Sequence, residues 1–171
     1  MIFDNIRTMK KLFLVILTGI LLSCNGQESQ PVLKVVNYDE LKSVIQKEDD
    51  KLYVVNFWAT WCKPCIEELP AFMAVNQEFK DDPHFKMILV SMDSKKQLDT
   101  KVKKFIEKNN MNVDVYLLDD NKRMNEWIPA TDPSWSGAIP ATVFYKNGKK
   151  VHFKELEMTQ YELEDIIEEN L

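Results

Sequence analysis

The chain has 171 residues, 45% of them hydrophobic, and a formal net charge of −5. That length and apolar content suit one globular domain with an ordinary core. Acids and bases are interspersed, with no internal repeat and no low-complexity segment, so a basic nucleic-acid surface and a repeat array are excluded.

The first segment reads as an address. Lys10 and Lys11 precede the apolar stretch Leu12 to Leu22, which is too short to span a bilayer comfortably. Met9-Lys10-Lys11 makes a compact positive start, whereas residues 1–8 add Asp4, so Met9 is the expected initiator. The stretch ends in Leu21-Leu22-Ser23-Cys24, which resembles a bacterial lipobox, although Leu22 stands where a smaller residue is commoner. The resemblance implies cleavage before Cys24 and lipidation of that cysteine. Residues 1–23 are then a signal peptide, 24–33 the lipidated cysteine with a flexible tether, and 34–171 the folded domain. A plain secretory signal with a coincidental cysteine is the alternative. Either route takes the chain out of reach of cytosolic reductants.

Leu33 to Val36 is expected as an edge strand, and Asn37 with Glu40 as a capping box opening a helix to about Gln46. Leu52 to Trp58 is a nearly continuous apolar run that predicts a central strand buried on both faces. A helix follows from Pro64 to about Lys80, with Pro64 in its first turn and Pro70 as an internal kink. Phe85 to Ser91 is a second buried strand. Gln97 to Asn109 is expected as one amphipathic helix whose lysines form the wet face opposite Val102, Phe105 and Ile106. Val113 to Leu118 is a third parallel strand, a helix is expected over Lys122 to Trp127, and Ile128 to Gly137 reads as irregular loop. Ala138 to Tyr145 is a strand opening with Pro140, Asn147-Gly148 a tight hairpin turn, and Lys149 to Glu155 the partner strand. Thr159 and Glu162 form a capping box for a last helix. Alternating strands and helices followed by a hairpin imply an α/β fold: a mixed sheet with helices on both faces.

The chemistry concentrates in Trp61-Cys62-Lys63-Pro64-Cys65, where the central strand gives way to a helix. Unpaired N–H groups and partial positive charge at a helix start favour thiolate over thiol. A thiol pKa lowered from about 8.5 to about 6.5 raises the ionised fraction at pH 7 from a few per cent to roughly three quarters. The thiolate is the attacking species in disulfide exchange. Half of a zinc site is the competing use of two cysteines, but it lacks a second ligand pair: Cys24 is the other cysteine, and His84 and His152 stand far apart. No metal and no soluble cofactor is expected beyond a Cys62–Cys65 redox disulfide.

With Trp58 to Cys65 after a buried strand, Pro70 in the next helix, and Ile139-Pro140 before an Asn-Gly hairpin, the chain from about Val35 to Leu171 resembles the thioredoxin fold. Helix Gln97 to Asn109 and its flanking strands are similar to the extra segment of the TlpA/ResA-like branch, which contains membrane-tethered extracytoplasmic thiol-disulfide oxidoreductases. The resemblance implies that Cys62 attacks and Cys65 resolves. It also implies that Pro140 is cis and faces the dithiol, and that the Ile139 backbone pairs with an extended substrate segment. Glu68 shares a helix face with Cys65 and, as in C-x-x-C-x-x-E proteins of the ResA kind, is expected to tune thiol ionisation or take the resolving thiol's proton. Thioredoxin proper usually has a buried aspartate where this chain has Asn56, which cannot shuttle a proton and is expected to satisfy buried backbone groups. Lys63 is expected to be exposed and screened. Trp61 is expected to pack beside the dithiol and shield it, Trp58 to be core, and Trp127 and Trp135 to be either core or an apolar rim for a partner.

The reading is an anchored oxidoreductase on the periplasmic face of a bacterial membrane, acting as a reductant of protein disulfides and reloaded by a membrane electron donor of the thiol-disulfide type. Proteins of this kind serve cytochrome c maturation or repair wrongly paired disulfides. The alternatives are a redox-inactive binding or assembly module on the same scaffold, or a thiol peroxidase.

Overall fold

The computed structural model describes residues 31–171, which form one compact unit. The signal segment, the Met9 start, Cys24 and the tether through Gln30 lie outside the described residues. Order begins slightly before the expected boundary at residue 34: the Val32 N–H donates to Asp114 Oδ1 at 2.8 Å, and the first strand opens at Leu33.

Six strands form one sheet in the spatial order β1-β4-β3-β2-β5-β6. They are β1 (Leu33–Val36), β2 (Leu52–Trp58), β3 (Phe85–Ser91), β4 (Asp114–Leu118), β5 (Ala141–Lys146) and β6 (Lys149–Glu155). The first four are mutually parallel; β5 runs antiparallel to β2, and β6 closes the sheet as its hairpin partner. The hairpin turns through Asn147 and Gly148 at φ +51 and +71, the left-handed pair that a two-residue turn of this hand demands. All seven residues of β2 are buried, as its unbroken apolar run required.

Period-two alternation along β2 divides the core. Leu52, Val54 and Trp58 face α2 (Lys63–Phe79) and α5 (Gln160–Asn170), meeting Leu69, Phe72, Leu163 and Ile167. Tyr53, Val55 and Phe57 face α1 (Tyr38–Ile45) and α4 (Met124–Thr131), meeting Leu41, Ile45 and Trp127. Both capping boxes form: Asn37 with Glu40 opens α1, and Thr159 with Glu162 opens α5.

Two expected elements differ. The single helix over 97–109 is instead a 3₁₀ turn (Lys95–Gln97), a π turn (Leu98–Val102) and the short α3 (Lys103–Lys108). The wide turn buries Val102 completely, while the Phe105 ring lies 5.2 Å from that of Trp58. A uniform helix is displaced by what those two side chains must reach. The loop expected from Ile128 is helical to Thr131 in spite of Pro129, which removes one N–H from α4. Trp127 outweighs that loss. Its ring is 2% exposed, stacks on Tyr38 and Phe57, and donates through Nε1 to the Asp120 carbonyl at 2.9 Å.

Burial of so large a ring sets a testable cost. Trp127→Ala should lower the unfolding free energy by about 3–5 kcal/mol, and Trp127→Phe by clearly less. Urea denaturation of the oxidised protein measures both.

Candidate active site

β2 ends at Trp58, and the chain turns through Ala59 and Thr60 before α2 begins. The turn is pinned by Asp93, which follows β3. The Thr60 N–H donates to Asp93 Oδ2 at 2.9 Å and the Thr60 hydroxyl to Oδ1 at 2.6 Å, while the Ser91 hydroxyl donates to Oδ2 at 2.9 Å. Asp93 is 2% exposed, so a buried carboxylate satisfied by hydrogen bonds holds the entry to the motif. Sequence reasoning missed this clamp. Its signal was the polar Ser91-Met92-Asp93 triplet closing a parallel strand, at the end of the sheet where α/β proteins build their sites.

Cys62 and Cys65 are joined by a disulfide, with Cα atoms 5.3 Å apart. Cys62 is the N-cap of α2, and its Sγ accepts from the Cys65 N–H at 3.3 Å. That donor is one of the orphan N–H groups of the helix start, aimed at the sulfur that would carry charge once the bridge is reduced. Cys62 is 6% exposed and Cys65 is fully buried, so a partner meets Cys62 first. Lys63 is exposed and pairs with the equally outward Glu67 at 3.4 Å, which leaves little of its charge for the dithiol.

The Ile139–Pro140 bond is cis, as expected from the resemblance, and the Ile139 carbonyl oxygen lies 3.6 Å from Cys62 Sγ. Pro140 is buried and Ile139 half-buried, immediately before β5. Trp135 positions this segment from within. Its Nε1 donates to the Ala138 carbonyl at 2.8 Å, and its ring lies 4.7 Å from Phe57. It is 5% exposed, which corrects the reading of Trp135 as part of a partner-facing rim. The aromatic cluster with Phe57, Trp127 and Phe153 draws both tryptophans into the core.

Trp61 is also corrected. It is 61% exposed and stands out into solvent, so it does not cover the dithiol.

Glu68 lies one helical turn beyond Cys65 and is 5% exposed. Its Oε1 accepts from Asn56 Nδ2 at 2.8 Å, and its Oε2 from the Met158 N–H at 2.9 Å, in the segment leading to α5. Burial pushes the carboxyl up to about 7, against the lowering effect of those two hydrogen bonds. Asn56 therefore serves side chains and not the backbone groups expected of it. Its amide also donates to Thr142 Oγ1 at 3.1 Å, its direct cross-strand partner on β5. Thr142 and Met158 could not have been found from sequence, because register and the path into α5 bring them here. Among the described residues no cluster of His, Cys, Asp and Glu could hold a metal ion.

The model of the AhpC/TSA family matches residues 31–154. Thioredoxin-like protein YneN of Bacillus subtilis is 35% identical over 66 residues, covering 39% of this chain and 38% of that protein, so the match spans well under half of that relative's length. Sporulation thiol-disulfide oxidoreductase A of the same organism is 26% identical over 118 residues, or 66% of this chain and 69% of that protein. Among solved structures, the exposed lipoprotein thioredoxin Etrx1 of Streptococcus pneumoniae shares the fold with a TM-score of 0.57 at 21% identity, covering 75% of this chain and 89% of that one. With a family model spanning most of its length and a thioredoxin-fold sheet that ends in a bridged C-x-x-C pair, this chain belongs to the AhpC/TSA family of the thioredoxin-like superfamily.

Proposed function

We propose that the protein is a lipid-anchored, extracytoplasmic thiol-disulfide oxidoreductase that reduces disulfides in client proteins. The observation that carries this reading is the asymmetry of the pair: Cys62 caps α2 at the surface, while Cys65 is sealed beneath it one turn from Glu68. An incidental pair in a binding module needs no such difference. The sequence resemblance and the printed activity of the sporulation relative support the same reaction.

In the reduced protein the Cys62 thiolate, held by the Cys65 N–H, attacks one sulfur of a client disulfide. A Cys62–client bond forms and the client's other sulfur leaves as a thiolate. Cys65 passes its proton to Glu68, attacks Cys62 Sγ, and releases the client's second thiolate. Two electrons have then moved to the client, and Cys62–Cys65 is bridged as in this structure. A membrane thiol-disulfide donor returns the electrons. During attack the Ile139 backbone aligns the client segment beside Cys62, in the manner of an added strand.

Anchoring rests on Cys24 following the apolar run 12–22. The pneumococcal relative, named a lipoprotein, supports it. Among the described residues no helix is long and apolar enough to cross a membrane.

Insulin reduction by the full chain should vanish in Cys62→Ser, whereas Cys65→Ser should accumulate mixed disulfides with envelope proteins, read by mass spectrometry. Equal rates for wild type and Cys62→Ser would remove the oxidoreductase reading, and rapid peroxide consumption with no insulin reduction would replace it with the peroxidase one.

Glu68→Gln should slow the resolving step by at least about a hundredfold, the scale of general-base assistance, and remove an inflection near pH 7 from the rate profile. Its effect on stability has a definite sign. The folded carboxyl titrates near 7 against an ordinary 4.5, so the folded state holds the extra proton and stability falls as pH rises from about 4.5 through 7. Oxidised wild type should lose about 3 kcal/mol over that window relative to Glu68→Gln, by urea titration at each pH.

Cys24→Ser should shift the protein from the membrane to the soluble envelope fraction and abolish incorporation of labelled fatty acid.

A further inference from the structure

The broken helical segment that follows β3 presents one face to the dithiol. Lys101, Lys104, Phe105 and Lys108 recur on it at spacings of three and four, and with Thr60 and Trp61 they line an open groove of about 390 Å³. The groove begins at the residue next to Cys62. Its floor is fixed, because the Phe105 ring is held 5.2 Å from the fully buried Trp58. One wall is Trp61, a large ring left 61% exposed immediately before the attacking cysteine. The π turn over Leu98–Val102 sets the rotation of this face, and such turns recur at functional positions.

The charges are unusual for this chain. Lys101, Lys104 and Lys108 are exposed and make no ion pair among the described residues. Their neighbours are neutralised: Lys95 by Asp119 at 3.8 Å and Lys103 by Asp99 at 2.5 Å. A protein of net charge −5 thus gathers three unpaired ammonium groups around two aromatic rings, beside its dithiol. A merely solvated face explains lysines. It does not explain their convergence with an exposed tryptophan on one concave surface.

We infer that this groove docks an acidic, extended segment flanking the target cysteine of a client protein, with carboxylates on Lys101, Lys104 and Lys108 and an apolar side chain between Trp61 and Phe105. The inference rests on the oxidoreductase reading and adds the chemistry of its substrate. An anionic bilayer offers the same charges, but a flat lipid surface pressed onto this face would cover Trp61 and the adjoining Cys62. A polypeptide strand lying along the groove leads its cysteine to that sulfur. Complementary charge at such a rim acts mainly on encounter, so the preference should be sensitive to salt.

The test uses the reduced full chain and three disulfide peptides, identical apart from flanking residues that are acidic, neutral or basic. At low ionic strength kcat/KM should be about tenfold higher for the acidic than for the neutral peptide and lowest for the basic one, and the preference should collapse in 0.5 M salt. Lys101→Glu/Lys104→Glu/Lys108→Glu should invert the order of acidic and basic peptides. The same charge change at Lys34, Lys42 and Lys149 should keep the wild-type order. Trp61→Ala should raise KM for the acidic peptide. Equal rates on all three peptides would overturn the docking inference while leaving the oxidoreductase intact, and reduction of none would overturn that underlying reading. If the triple variant loses binding to phosphatidylglycerol vesicles but keeps the wild-type peptide order, the groove is a lipid contact and the inference fails.

Discussion

Every feature of the site depends on β2 being buried on both faces and paired on both edges. A strand so enclosed cannot shift its register without moving apolar side chains into the wrong layer. Its carboxyl end is therefore a fixed point, and the dithiol is placed one short turn beyond it. The turn itself is held by Asp93 through two bonds from Thr60, so the helix start that polarises Cys62 is anchored to β3 as well as to β2. The same strand supplies Asn56, and its partner β5 supplies Thr142 and, just before it begins, Pro140. Four separated stretches of chain converge on the pair of sulfurs because two of them are neighbours of one immobile strand.

Around that point the electrostatics are divided by depth. Behind the dithiol lies a carboxyl group removed from water and held by an amide and a backbone N–H. Burial favours its neutral form, so it takes up a proton near neutrality. In front lie lysines in full contact with solvent, where screening limits each charge but several act together on an approaching segment. The buried acid concerns the inner sulfur and the exposed cations concern whatever meets the outer one. One fold thereby separates proton handling from recognition.

The tryptophans show how far side-chain type alone can be interpreted. Trp127, Trp135 and Trp58 are core, and the ring expected to shield the dithiol, Trp61, stands in solvent. Apolar character says that a ring gains by burial; it does not say which ring the available space admits. Phe57 and Tyr38 provide that space for Trp127, and a single hydrogen bond from Trp135 to the Ala138 carbonyl converts core packing into support for Ile139.

What the amino-acid sequence determined unaided is local or periodic. It specified the capping boxes at Asn37 and Thr159, the Asn147-Gly148 turn, the buried run of β2, and a dithiol at a helix start, each set by contacts among residues close in the chain. The cis bond at Pro140 came from family likeness, since spacing carries no information about it. Only the tertiary structure decided the rest. Asn56 binds Glu68 and Thr142, residues 12 and 86 positions away, because strand register and helix packing bring them within reach. The helix over 97–109 broke into three pieces because Val102 and Phe105 had separate places to fill in the core. Those pieces turned three lysines toward the dithiol, a placement that depends on rotation about a helix axis and on a neighbouring strand.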